Sequence, residues 1–209
     1  MVNNEREGVI KFSLEFRETG PVEFRDLEAL ERCRRKFRAH GLIGGGDPQR
    51  YEGLGFGNIS HRLAPDSEAF VISGTQTGHL ASMGAEGYAL VTRCDPARNR
   101  IVAEGAVRPS SEAMTHAVIY RQLPAVQAVI HVHSPGIWNR ADELGLPQTA
   151  RDVPYGTPEM ATEMQRLIAS GMGGWHTISM AGHEDGVITW GETLDAASAE
   201  LEALFRQVA

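Results

Sequence analysis

Two histidines separated by a single residue close the apolar run VQAVIHVHS, Val126 to Ser134. In an extended strand the side chains alternate between faces, so His131 and His133 point to the same side, about 7 Å apart along the chain. Two imidazoles at that separation can close onto one metal ion. The same pattern also arises as two ordinary histidines on a strand, so both readings stand until the rest of the chain is considered.

The elements that must position such a pair are bounded by composition. A chain of 209 residues, 42% of them hydrophobic, can bury one sizeable core and is short for two. A single domain over 1–209 is therefore expected, with residues 1–20 as an N-terminal strand extension. The start MVNNEREG holds no apolar leader stretch, and no run of 18 apolar residues follows, which leads us to expect a soluble, cytoplasmic protein with no membrane partner. Cys33 and Cys94 stand alone, outside any disulfide framework or thiolate zinc pattern. A net charge of -7 excludes a general nucleic-acid binder, and it means that an anionic substrate needs a locally positive pocket. In the one basic cluster, Glu31 to His40, the recurrence of Leu27, Leu30, Cys33 and Phe37 predicts an amphipathic helix with the arginines on its solvated face.

Along the chain, Val9 to Phe16 alternates as a half-buried strand, and a helix from about Val22 to Ala39 is closed by His40-Gly41. A loop with seven glycines between Gly41 and Gly57 lets the backbone approach a ligand closely. Strands are expected at Asn58 to Leu63 and Glu68 to Ser73, then a hairpin around Asp95 to Arg98. Arg108 to Glu112 starts a helix that runs to Gln122, with serines suited to its free N–H groups. The histidine strand follows, then a short helix after Pro135, a short strand at Thr149 to Val153 and a helix opened by Thr157-Pro158. Two strands, Trp175 to Met180 and Gly186 to Trp190, flank a bend, and a helix from Thr193 ends the chain. Interleaved helices and hairpins predict a layered α/β fold with a mixed or mainly antiparallel sheet.

Taken together, GFGNISHR at Gly55 to Arg62, ISGTQTG at Ile72 to Gly78, EGAVRPSSEAMTHAVIY at Glu104 to Tyr120, AVIHVHSP at Ala128 to Pro135, VPYGTPE at Val153 to Glu159 and MAGHEDGVITWG at Met180 to Gly191 resemble the class II aldolase/adducin family. The order and distances of these blocks, from about Leu27 to the C-terminus, are more specific than any one of them. The resemblance implies a three-layer αβα sandwich around a central mixed, mainly antiparallel sheet. It implies a divalent metal, most often zinc, with manganese or cobalt as alternatives, held by His131, His133 and His183. Three protein ligands with an open position are what catalytic zinc requires.

The resemblance further assigns Glu112 as general base beside the metal, and an oxyanion or phosphate pocket to Asn58, Ser73, Gly74, Thr75, Ser110 and Ser111. Hydroxyls, an amide and exposed N–H groups at a helix start form such a site without lysine. The expected activity is that of an aldolase-type lyase acting on a small sugar or sugar phosphate through an enediolate. An epimerase, dehydratase or decarboxylase of the same family is the alternative, and a non-catalytic, adducin-like interaction protein a further one. His116, one turn after Glu112, is expected to be structural, as are His40, His61, His79 and His176. Family aldolases bring a tyrosine from a neighbouring subunit, and none of Tyr51, Tyr88, Tyr120 and Tyr155 matches it by motif. The family habit also implies a homotetramer with sites between subunits.

Overall fold

The computed structural model describes residues 8–208, so residues 1–7 of the expected N-terminal extension lie outside the described residues. Strands β1 (Ser13–Glu18), β2 (Asn58–Arg62), β3 (Phe70–Ser73), β4 (Tyr88–Asp95), β5 (Arg100–Gly105), β6 (Ala128–His133), β7 (Thr177–Ser179) and β8 (Gly186–Gly191) form one sheet in the order β1-β5-β4-β3-β2-β6-β8-β7. Only β1 and β5 pair in parallel; every other neighbour is antiparallel. The helices are α1 (Leu27–Ala39), α2 (Ala113–Gln122), α3 (Pro135–Asn139), α4 (Pro158–Ala169) and α5 (Leu194–Val208).

The sheet is covered on both faces because its central strands are apolar on both. On β6, Val129 packs with residues of α2 and α4 such as Met114, Val118, Met160 and Met164. Ala128, Ile130 and Val132 alternate to the opposite side, where they meet Leu30 and Phe37 of α1, Ile137 of α3 and Leu201 and Leu204 of α5. The result is the expected three-layer αβα sandwich with a mainly antiparallel sheet. Helix starts follow their local chemistry: Ser134 accepts a hydrogen bond from the Ile137 N–H, and Thr157 from that of Met160, each ahead of a proline.

Four local expectations need correction. The first strand begins at Ser13, not Val9, because nearby side chains take up the preceding backbone: Val9 N–H donates to the Tyr155 hydroxyl and Lys11 C=O accepts from Asn99 Nδ2. Helix α1 begins at Leu27, not Val22, since Val22 N–H is drawn away to Ala85 C=O. At Thr149 to Val153 no strand forms; Gln148 makes one bridge to Ser179, where β7 ends, and Val153 N–H turns back to Ala150. Finally, Arg34 is not on the solvated face of α1. It is 1% exposed and bidentate to Glu31, whose carboxylate also accepts from Tyr88 and Met83 N–H, the pairing that a buried charge requires.

Arg62, at the end of β2, joins the functional half of the sheet to α2. Its buried guanidinium donates to the carbonyls of Ser67, Tyr120, Leu123 and Val126, the last three at the end of α2 and the entry to β6. Arg62→Met removes these donors and is expected to cost about 2–4 kcal/mol of stability. Urea denaturation should show the lower midpoint at unchanged m-value.

Candidate metal centre

Period-two alternation sets where the histidines of β6 go. Val129, His131 and His133 share the face under α2 and α4, and Asn58 of β2 lies opposite His131 in register. A third histidine reaches the same spot from the bend between β7 and β8. That bend is closed by Met180 N–H to Gly186 C=O at 2.8 Å and His183 N–H to Met180 C=O at 2.8 Å, and Ser134 N–H to Asp185 C=O at 2.8 Å pins it to the end of β6. One glycine here is required by space and a second leaves little of it. A Cβ on Gly182 would stand 2.0 Å from the Val153 carbonyl oxygen, and one on Gly186 would stand 3.0 Å from Nδ1 of His183.

One ring nitrogen from each of His131, His133 and His183 lies within 4.8 Å of the others, and all three residues are buried. A zinc ion with Zn–N distances of about 2.0–2.1 Å spaces tetrahedral ligands roughly 3.4 Å apart, so small ring rotations suffice to close this set on an ion. The protonation fits as well. Nδ1 of His131 lies 3.2 Å from Val187 C=O, which can only accept, so the proton belongs on Nδ1 and Nε2 is left as the ligand atom. Burial, reinforced by the neighbouring His183 and His131, pushes His133 well below the usual imidazole range and keeps it in the neutral form that metals bind.

Glu112 sits at the edge of this cluster, where the chain enters α2. The loop before it is fastened to the end of β3 by Thr75 N–H to Arg108 C=O and Ser110 N–H to Ser73 C=O, with a bridge between Gly74 and Pro109. As a result Oε1 of Glu112 lies 3.0 Å from Nδ1 of His183 and 3.4 Å from Nε2 of His131. Neither carboxylate oxygen is hydrogen-bonded among the described residues, although the side chain is 1% exposed. Burial alone would raise its pKa, but the adjacent His131 and His183 rings outweigh it and hold the carboxyl below the usual range. A buried carboxylate beside three imidazoles is a proton acceptor placed next to a metal-binding position.

Of the residues expected to hold an anion, Asn58, Gly74, Thr75, Ser110 and Ser111 line one small pocket, joined by Gln76, Thr77 and several glycines including Gly8. Ser73 is not among the lining residues of that pocket; its hydroxyl accepts from Ile59 N–H at 3.1 Å and so ties β3 to β2. His116 is fully buried, its Nδ1 2.7 Å from the Ser60 hydroxyl, which also contacts the Tyr120 hydroxyl. Burial pushes it down to about 3, so the ring is neutral.

Sequence reasoning missed the aromatic walls. Tyr155 stacks on His183 with ring centres 4.4 Å apart, and Tyr51 meets His133 edge-on at 4.7 Å while its hydroxyl donates to Asp185 at 2.5 Å. VPYGTPE had marked Tyr155 only as part of a block. For Tyr51 the one available signal was its place in the glycine-rich loop, where both it and Glu52 adopt positive φ.

Comparison with known proteins agrees with this architecture. Residues 48–208 match the family model described as Class II Aldolase and Adducin N-terminal domain. A methylthioribulose-1-phosphate dehydratase from Gluconacetobacter diazotrophicus is 32% identical over 169 residues, covering 71% of this chain and 78% of its own length. One from Methylococcus capsulatus is 28% identical over 173 residues, with the same two coverages of 71% and 78%. Among solved structures, an L-fuculose 1-phosphate aldolase is similar in fold, with a TM-score of 0.63 at 19% identity over 88% of this chain and 84% of its own.

Metal content measured by mass spectrometry after dialysis tests the cluster. His131→Ala is expected to lower divalent-ion affinity roughly a hundredfold or more. Gly186→Ala, which presses a methyl group against the His183 ring, should lower it about tenfold without unfolding the protein. Unchanged metal retention in both variants would remove the site.

Proposed function

The chain belongs to the class II aldolase and adducin family, and on that premise we propose that it is a metal-dependent lyase that dehydrates a small ketose phosphate, with His131, His133 and His183 as the metal ligands and Glu112 as the base. This revises the expectation of aldol cleavage as the main reading. The observation behind the choice is the relationship to proteins named methylthioribulose-1-phosphate dehydratase, over 71% of this chain. A divalent ion held by these three neutral imidazoles, zinc being the first choice, would polarise a hydroxy-carbonyl unit and acidify the C–H beside the carbonyl.

Each remaining step falls to side chains of this protein. Glu112, ionised and within 3.4 Å of two of the histidines, accepts the proton from the carbon next to the carbonyl. The neighbouring carbon then loses its hydroxyl group. The carboxyl of Glu112 returns its proton to that departing oxygen, so one water leaves, a C–H and a C–O bond are broken, and an enol remains that becomes the ketone. Carbon–carbon cleavage would instead need the proton to come from a hydroxyl, with a donor for the released carbanion. The phosphate group is assigned to the pocket of Asn58, Gly74, Thr75, Ser110 and Ser111, where backbone N–H groups and hydroxyls can donate to it. Tyr155 and Phe56 help to keep water away from the rings they touch.

No helix among the described residues is long and apolar enough to cross a membrane, which is compatible with the cytoplasmic location we propose. A homotetramer is proposed by family habit, and light scattering that returned a monomer at micromolar concentration would exclude it.

The reaction is tested by incubating the metal-loaded protein with ketose 1-phosphates, methylthioribulose 1-phosphate among them, and following water loss by mass spectrometry. Glu112→Gln should lower kcat about 10²- to 10⁴-fold with metal content unchanged. Release of dihydroxyacetone phosphate in place of a dehydrated product would return the assignment to aldol cleavage.

A further inference from the structure

The anion pocket has a chemical shortfall: every residue lining it is uncharged. The chain as a whole carries a net charge of -7, which favours no anion in general. Hydroxyls and N–H groups can orient a phosphate, but a fixed cation nearby adds charge-assisted bonding and a long-range attraction that they lack. The region matched by the family model starts at residue 48, and a suitable cation lies before it.

That cation is Lys11. The segment Gly8 to Lys11 does not belong to the sheet ladder; it crosses the site. Gly8 lines the pocket, and its carbonyl faces the Thr75 hydroxyl at 3.5 Å. A Cβ on Gly8 would collide with the Gln76 side chain at 1.7 Å, so the segment lies hard against the pocket wall. Val9 N–H then donates to the Tyr155 hydroxyl at 3.1 Å, and the Lys11 ammonium stands 4.0 Å over the centre of the same ring, whose far neighbour is His183. Cδ of Lys11 and the carbonyl oxygen of Ser111, a pocket residue, both lie within 4 Å of the point where a Cβ on Gly156 would be. The ammonium is shielded from solvent, and lysine carries it on a flexible four-carbon stem.

We propose that Lys11 is a specificity-determining residue of the substrate site, its ammonium holding the phosphate-like anion of the substrate in the neutral pocket beside Gly8. The inference rests on the reading of that pocket as a phosphate site. It makes the N-terminal segment, outside the part of the chain that matches the family model, a working part of the site. Selection is for the anionic group of the substrate, not for the reacting carbons.

Equilibrium binding of inorganic phosphate to the metal-loaded, full-length protein tests it by calorimetry, without turnover. Wild type should bind phosphate with an affinity that falls as sodium chloride is added, and Lys11→Met should bind about tenfold or more weakly and lose most of that salt dependence. Lys11→Arg, which keeps the charge and can keep the contact with the ring, should stay within about threefold of wild type. Metal content and thermal midpoint, measured on the same samples, should be unchanged in both variants. Phosphate affinity in Lys11→Met equal to wild type, an equal loss in Lys11→Met and Lys11→Arg, or a wild type that binds no phosphate overturns the inference. Because no product is needed, a protein that fails to dehydrate any ketose phosphate yet shows the Lys11 effect leaves this inference standing while the dehydratase reading falls.

Discussion

The arrangement depends on one constraint: β6 is buried on both faces, yet two of its six residues carry imidazoles. Polar rings in a water-free layer are unfavourable unless each nitrogen is engaged, at a cost of order 1–3 kcal/mol for one that is not. The fold answers this by gathering other groups around them. Val187 C=O takes one proton of His131, and the bend carrying His183 is bonded to the end of β6. Helix α2 presents a carboxylate to the same point. A bound cation is what such a set of neutral nitrogens and one carboxylate accommodates, and the rest of the architecture keeps them converged.

Convergence is achieved by backbone bonds more than by the side chains themselves. The loop into α2 is stitched to β3, the bend before β8 is stitched to β6, and Arg62 holds the carbonyls where α2 ends and β6 approaches. Each element that delivers a functional group is therefore anchored within a few residues of that group. This is the preorganisation that catalysis asks of a site, since a carboxylate held in place needs no reorganisation when the proton moves.

Much of this was legible in the sequence, for identifiable reasons. Alternation in VQAVIHVHS determines that His131 and His133 share a face, and helix periodicity in α1 and α5 identifies their buried stripes. His183 was different: a bend histidine fifty residues away carries no periodic signal, and only the joint order of the blocks singled it out. Ser73 was placed with the anion-binding residues by the resemblance; the bond its hydroxyl accepts from Ile59 N–H of β2 depends on strand pairing and so was not legible. Arg34 was read as solvated because arginine usually is; Glu31, on the same helix, and Tyr88, from β4, make its burial possible. Tyr155, Tyr51 and Lys11 were beyond reach, because their neighbours at the site come from other parts of the chain.

The parallel pairing of β1 with β5 gives the sheet a gradient of mechanical independence. In the strand order four strands stand between β1 and β6, and β1 is an edge strand with exposed or half-exposed residues, whereas every residue of β6 is buried. Its partner lies 87 residues along the chain at Ser13 and Arg100, so docking it closes a long loop for little buried area. Edge elements of this kind open at a lower free energy than the centre of a sheet. The segment beside the pocket is thus tethered to an edge of the sheet, and the histidines to a strand buried on both faces.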